Sequence, residues 1–99
     1  MILNVDPATV SASAVAEDGI SVGIAATTSA AAAALTAVLP MGADLDSIAF
    51  AAALNSAGAC YVGTAAEHAA NRGLFAGAQN LAAATYTATE AIRDTALGL

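Results

Sequence analysis

The sequence predicts an all-α fold, an antiparallel two-helix hairpin that completes a helical bundle with a partner protein. Three observations predict it. Hydrophobic residues make up 59% of the 99 residues, and roughly half of those are Ala, the best helix former and a poor core filler. Charged residues are only 10% against a usual ~25%, too few to cover a small soluble monomer. One short break, Pro40-Met41-Gly42-Ala43, separates two long stretches with helical character and no strand alternation.

Each element follows from local chemistry, within a single domain covering residues 1–99. Asp6-Pro7 opens the first helix, with Asp as N-cap and Pro at the first helical position. That helix is expected over about residues 7–39, with Gly19 and Gly23 weakening it without ending it. A loop at 40–44 follows, and Asp44 caps a second helix expected over about 45–86, with Asp46 in its first turn favouring the dipole. Residues 87–99 are expected to form a C-terminal tail. So short a connection makes the helices antiparallel neighbours.

Two apolar surfaces are expected on the second helix. Small residues fall seven apart at Ala52, Ala59, Ala66 and Gly73, and again at Gly63, Ala70, Gly77 and Ala84, a seam that permits close helix approach. Phe50, Leu54, Tyr61, His68 and Phe75 form a bulky stripe. On the first helix, Ile20, Ile24, Ala31 and Val38 share one side, and Val15 and Val22 lie on another. One apolar face suffices for a hairpin, and a second implies another body. The expected partner interface is therefore Ile20, Ile24, Val38, Phe50, Leu54, Tyr61 and Phe75. The alternative makes Phe50, Leu54, Tyr61 and Phe75 the hairpin's own core, with the Ala seam facing solvent.

The composition also sets what not to expect. A net charge of −6, with Arg72 and Arg93 the only positive side chains, argues against nucleic acid as a partner. Cys60 is alone, so no internal disulfide is expected. Glu67 and His68 are sequence neighbours on different helical faces and make no acid/base pair. No catalytic residue, metal site or cofactor is expected, and the chain is not read as an enzyme. The chain starts Met1-Ile2-Leu3-Asn4 without Lys or Arg, so no conventional secretory signal is expected. A small membrane hairpin is the competing class, such as a rotary-ATPase ring subunit with Glu67 as its ion-binding carboxylate. Against insertion stand the Ala, Thr and Ser content of the uncharged stretches, Asn55 and Ser56 within one of them, and the lack of basic flanks.

Asp6-Pro7 before a long helix, Ala37-Val38-Leu39-Pro40 at its end, Gly42-Ala43-Asp44 with Ser47 opening the next, and Tyr86-Thr87-Ala88-Thr89-Glu90 beyond it resemble the PE domain of mycobacteria. The resemblance covers the whole chain. Its most specific part is Tyr86-x-x-x-Glu90, similar to the family's Y-x-x-x-[DE] type VII secretion signal in the expected place. One departure is Pro7-Ala8, where the family's namesake pair is Pro-Glu. The long Gly-rich extensions of some relatives are not expected beyond Leu99.

The resemblance implies a heterodimer with a PPE protein and an EspG-type chaperone that grips the PPE partner. It also implies export from the cytosol to the cell surface or extracellular space through an ESX secretion system. The iron-acquisition ESX system is the branch implied. Tyr86 and Glu90 would carry the signal, sharing a face if the helix continues through them. Otherwise Tyr86 ends the apolar packing, and Glu90 is solvated and paired with Arg93.

Overall fold

The computed structural model describes residues 4–98. Among them are two helices and no strand, α1 (Pro7–Thr36) and α2 (Leu45–Leu97). The all-α hairpin expected from the sequence is the observed fold. Two compact units make it up: the two ends of the chain (Met1–Ile20 with Asn71–Leu99) and its middle (Ser21–Ala70).

Both helices begin as the sequence indicates, and for the same reason. The Asp6 carboxylate accepts the Ala8 N–H (3.0 Å) and the Thr9 hydroxyl (2.7 Å), while the Val10 N–H donates to the Asp6 carbonyl (3.2 Å). The Asp44 carboxylate accepts the Ser47 N–H (3.0 Å) and the Ser47 hydroxyl (2.8 Å). Each aspartate thus satisfies orphan donors of a first turn.

These bonds favour the ionised carboxylates. Asp6 is held below the ordinary carboxylate value first by the Thr9 hydroxyl, and Asp44 first by the Ser47 N–H. A depressed folded pKa gives stability that is complete above the unfolded value of 3.8 and fades as pH falls through the folded one. Urea unfolding followed by circular dichroism should therefore show both caps at full strength at pH 6. Stability should decline below the ordinary carboxylate range, and a doubly substituted Asp6→Asn/Asp44→Asn chain should lose less over that interval.

The middle unit contains the turn, and here α1 departs from expectation. It ends at Thr36 rather than near residue 39, and the connection spans 37–44. The cause lies on α2. The Asn55 side chain accepts the Val38 N–H through Oδ1 (2.7 Å) and donates through Nδ2 to the Val38 carbonyl (3.0 Å). One amide therefore satisfies both backbone groups of a residue leaving the helix, and Pro40 pushes the residue before it out of helical geometry. Asn55→Leu should leave two part-buried backbone groups unpaired and cost about 1–3 kcal/mol, read as a lowered urea midpoint. An unchanged midpoint would dismiss the clamp as incidental.

In this unit the helices meet through small and half-buried side chains. Ser21, Ile24, Thr28, Ala31 and Leu35 face inward from α1, Val38 from the connection that follows it, and Ala51, Asn55, Gly58, Val62, Ala65 and Ala69 from α2. Steps of three and four residues alternate along both sets, the heptad spacing of coiled-coil seams. Ser21 donates its hydroxyl to the Ala69 carbonyl at 2.7 Å. At Gly58 the backbones come so close that an added Cβ would lie 1.9 Å from the Leu35 carbonyl oxygen.

The observed seam corrects the sequence expectation by one residue. Ala52, Ala59, Ala66 and Gly63 are exposed, and their neighbours Ala51, Gly58, Ala65 and Val62 take the inward positions. Ala70, Gly77 and Ala84 are exposed as well and Gly73 is half-buried, so small residues line the contact in a register shifted by one, and the seam named from the sequence faces outward, as the alternative reading had it.

The unit of the two chain ends continues the spacing. Val10, Ala14 and Glu17 of α1 face inward, as do Arg72, Ala76, Gln79 and Ala83 of α2. Polar side chains tie it together. Arg72 pairs with Glu17 at 2.5 Å, both partly buried, and Gln79 donates to the Ser13 hydroxyl at 3.0 Å. Polar groups at seam positions act chiefly on register, since any slip leaves them unpaired. The end of α2 also departs from expectation. The helix continues through the predicted tail to Leu97, where Gly98 takes a left-handed φ of 69° and ends it.

Candidate partner-binding and export surfaces

The buried positions determine what is left outside. Among the described residues the buried hydrophobic side chains are Ala14, Ala51, Ala69, Ala76 and Ala83, and no large side chain is fully buried. Accessible surface totals 7057 Å², against about 5,000 Å² for a folded monomer of this mass. The hairpin keeps its thinnest residues for itself and leaves its bulky ones uncovered.

In the middle unit, Phe50 and Tyr61 are each 61% exposed, Leu54 is 40% exposed, and Ile24 and Val38 are half-buried at the edge of the seam. Ile24, Thr27 and Thr28 of α1 line a groove with Tyr61, Thr64, Ala65 and His68 of α2. Near the turn, a second and largely apolar groove is lined by Val38, Leu39, Pro40, Met41, Phe50 and Leu54, among others. Leu54, Tyr61 and His68 are seven apart on α2, so they share one side of it, next to the seam. In the unit of the chain ends, Phe75 is 53% exposed and Ile20 is 45% exposed. Phe50, Leu54, Tyr61 and Phe75 are therefore not the hairpin's own core, the alternative left open by the sequence.

The last turns of α2 hold Tyr86 and Glu90. Steps of three and four from Ala83 reach Tyr86, Glu90 and Arg93, so these residues continue the seam positions beyond Gln79 and Ala83. Helix α1 begins only at Pro7, and the residues beside this stretch are Asn4 and Val5. They line a cleft of about 610 Å³ together with Thr85, Tyr86, Thr89, Glu90 and Arg93. Tyr86 is 37% exposed. Glu90 accepts from the Arg93 guanidinium at 2.7 Å, one turn along. The pairing with Arg93 was one of two sequence readings. Asn4 and Val5 were singled out by neither, and only the heptad count through positions 79, 83, 86 and 90 points toward them.

No group of three or more His, Cys, Asp or Glu is placed to hold a metal ion among the described residues. Both helices are long and apolar enough to cross a membrane by length and composition alone. Glu67 and His68 are exposed neighbours on α2.

Fold and surface together define a class: a helical hairpin that buries alanine and presents its large apolar residues outward. The chain belongs to the PE family, whose model matches residues 3–93. Members of that family are in general secreted and linked to ESX export and to pairing with PPE proteins. Comparison with curated proteins and with solved structures gives no match.

Proposed function

We propose that the chain is one half of an obligate heterodimer with a PPE protein and is exported as that pair by an ESX system. It works by binding and carries no catalysis of its own. The observation that supports this most is the inversion of the usual burial pattern, with Ala14, Ala51, Ala69, Ala76 and Ala83 inside while Phe50, Tyr61 and Phe75 face out. Partner helices laid along these residues and Ile20, Ile24, Val38 and Leu54 would supply the missing core. An EspG-type chaperone would hold the PPE partner in the cytosol, and the iron-acquisition ESX system is the proposed route.

Tyr86 and Glu90 are the proposed export signal. They lie four apart on a helix that continues to Leu97, so both belong to one side of it. In the native host, Tyr86→Ala and Glu90→Ala should remain in the cells, bound to the partner, while the unmodified chain reaches the culture filtrate. Normal export of both variants would reject the signal. Loss of export in a strain lacking the iron-acquisition system, and in no other ESX deletion, is the expected result for the route.

The membrane hairpin keeps one favourable observation, the length and apolarity of both helices. Yet α2 has 53 residues, more than twice the ~20 a crossing needs. Its inward face also carries Asn55, Arg72 and Gln79. Recovery of the chain only by detergent extraction, with no soluble complex, would favour the membrane reading.

A further inference from the structure

The five-residue pattern from Tyr86 to Glu90 is too common to mark a protein by itself, since Tyr followed four later by an acid occurs by chance in many helices. The structure surrounds it with more. Tyr86, Glu90 and Arg93 occupy the α2 positions that would face a neighbouring helix, at a level where α1 has not yet begun. The first described residues of the chain take that place, and Asn4 and Val5 line the same cleft as the motif side chains.

Two devices fix the chain there. Asp6 binds the Ala8 N–H and the Thr9 hydroxyl, which sets the direction in which the backbone leaves the helix. Val5, just before that cap, and Val10, four residues after it, are both half-buried at the spacing of a hydrophobic staple, which fixes the entry angle of the chain. At the far side of the cleft, Arg93 holds the Glu90 carboxylate at 2.7 Å.

We infer that the export signal is composite: Val5 and Arg93 are positioning residues for Tyr86 and Glu90, and the recognised surface exists only when the start of α1 is docked on the end of α2. This rests on the reading of Tyr86 and Glu90 as the signal. Val5, which lines the same cleft as Tyr86, would limit the room open to its ring, and Arg93 holds the Glu90 carboxylate from the C-terminal side. A surface ordered before binding loses less entropy when recognised. It also rejects unfolded chains that carry the same five residues, because they lack half of the surface.

The test uses the full chain, tagged and expressed in its native host, with export read as the filtrate-to-cell ratio of partner-bound chain. Val5→Asp should drop that ratio to the level of Tyr86→Ala while the partner-bound pool in the cells stays full. Arg93→Ala should lower it in the same way, and Val5→Ile should export normally; lost export beside a full partner-bound pool is the result a purely structural loss would not predict. Should Val5→Asp diminish the bound pool, the ratio for Val5→Ala decides, and a normal value there overturns the inference. Normal export of Val5→Asp and Val5→Ala alongside retention of Tyr86→Ala would overturn the composite surface and leave the linear signal standing. Export of Tyr86→Ala as well would overturn both.

Discussion

Gly58→Ala should lower the thermal midpoint of the hairpin, while Gly63→Ala, five residues along the same helix, should raise it. Both replace a helical glycine by the best helix former, a change worth up to ~1 kcal/mol in an open position. At Gly63 nothing lies within 4 Å of the new carbon, so that gain is realised. At Gly58 the new carbon would stand 1.9 Å from the Leu35 carbonyl oxygen and 2.7 Å from its carbon. Both are backbone atoms and cannot swing aside, so α1 must move away and the seam must open around it. Overpacking of this kind costs about 1–3 kcal/mol and sometimes more. In a domain of this size, each kcal/mol shifts the midpoint by about 4–8 °C. Circular dichroism melts of the two variants, each co-purified with its partner, read the contrast directly. A midpoint for Gly58→Ala at or above that of Gly63→Ala would mean that the helices are not packed at this distance.

The second large effect concerns the partner. Tyr61→Ala should weaken the heterodimer by about 2 kcal/mol, close to 30-fold in affinity, as expected for a buried aromatic anchor. Tyr61 is 61% exposed in the hairpin, so loss of its side chain opens no cavity in the fold, and helicity should be unchanged. Tyr61→Asp should abolish pairing by placing a charge where an apolar core must form. Ala59→Ser, on the exposed small-residue side, should leave binding intact. Co-expression followed by gel filtration separates these outcomes. Retention of full complex by Tyr61→Asp would move the interface to another face.

Much of the fold could be read in the sequence because its boundaries are marked by chemically distinctive residues. Asp6-Pro7 and Asp44 start helices in the structure as their capping chemistry demands. Helix α1 ends at Thr36, three residues before the expected 39, since the group that satisfies the chain beyond it, the Asn55 amide, lies 17 residues from Val38 in sequence. No local pattern around Val38 announces it. The seam lies one position from its expected register for a different reason. A run such as Ala51-Ala52-Ala53 offers no contrast between inward and outward faces, so hydrophobicity alone cannot set the register. The polar residues could have done so. Asn55 in the middle unit, and Arg72 and Gln79 in the unit of the chain ends, fall at heptad seam positions of α2, and each finds a partner within its own unit. Of the three, only Asn55 enters the sequence reading as a polar residue within an apolar stretch, and there as an argument against membrane insertion.

Large residues are few, and most of those picked out from sequence are exposed in the structure. Around Tyr86 the two motif residues are legible in the sequence but neither Asn4 nor Val5 is, because their association with the cleft depends on where α1 begins opposite α2.

The alanine seam has a consequence for how the cell would regulate the protein. An interface of methyl groups contributes little free energy per residue, so with the proposed pairing the hairpin's survival would become a function of how much partner surrounds it, by mass action. Molecules made in excess would spend more of their time open and would be cleared by proteases in proportion. Matched production of the two chains would then need no dedicated regulator. The surplus of either would be removed, and stoichiometry would follow from the size of the side chains at positions such as Ala51, Gly58 and Ala69.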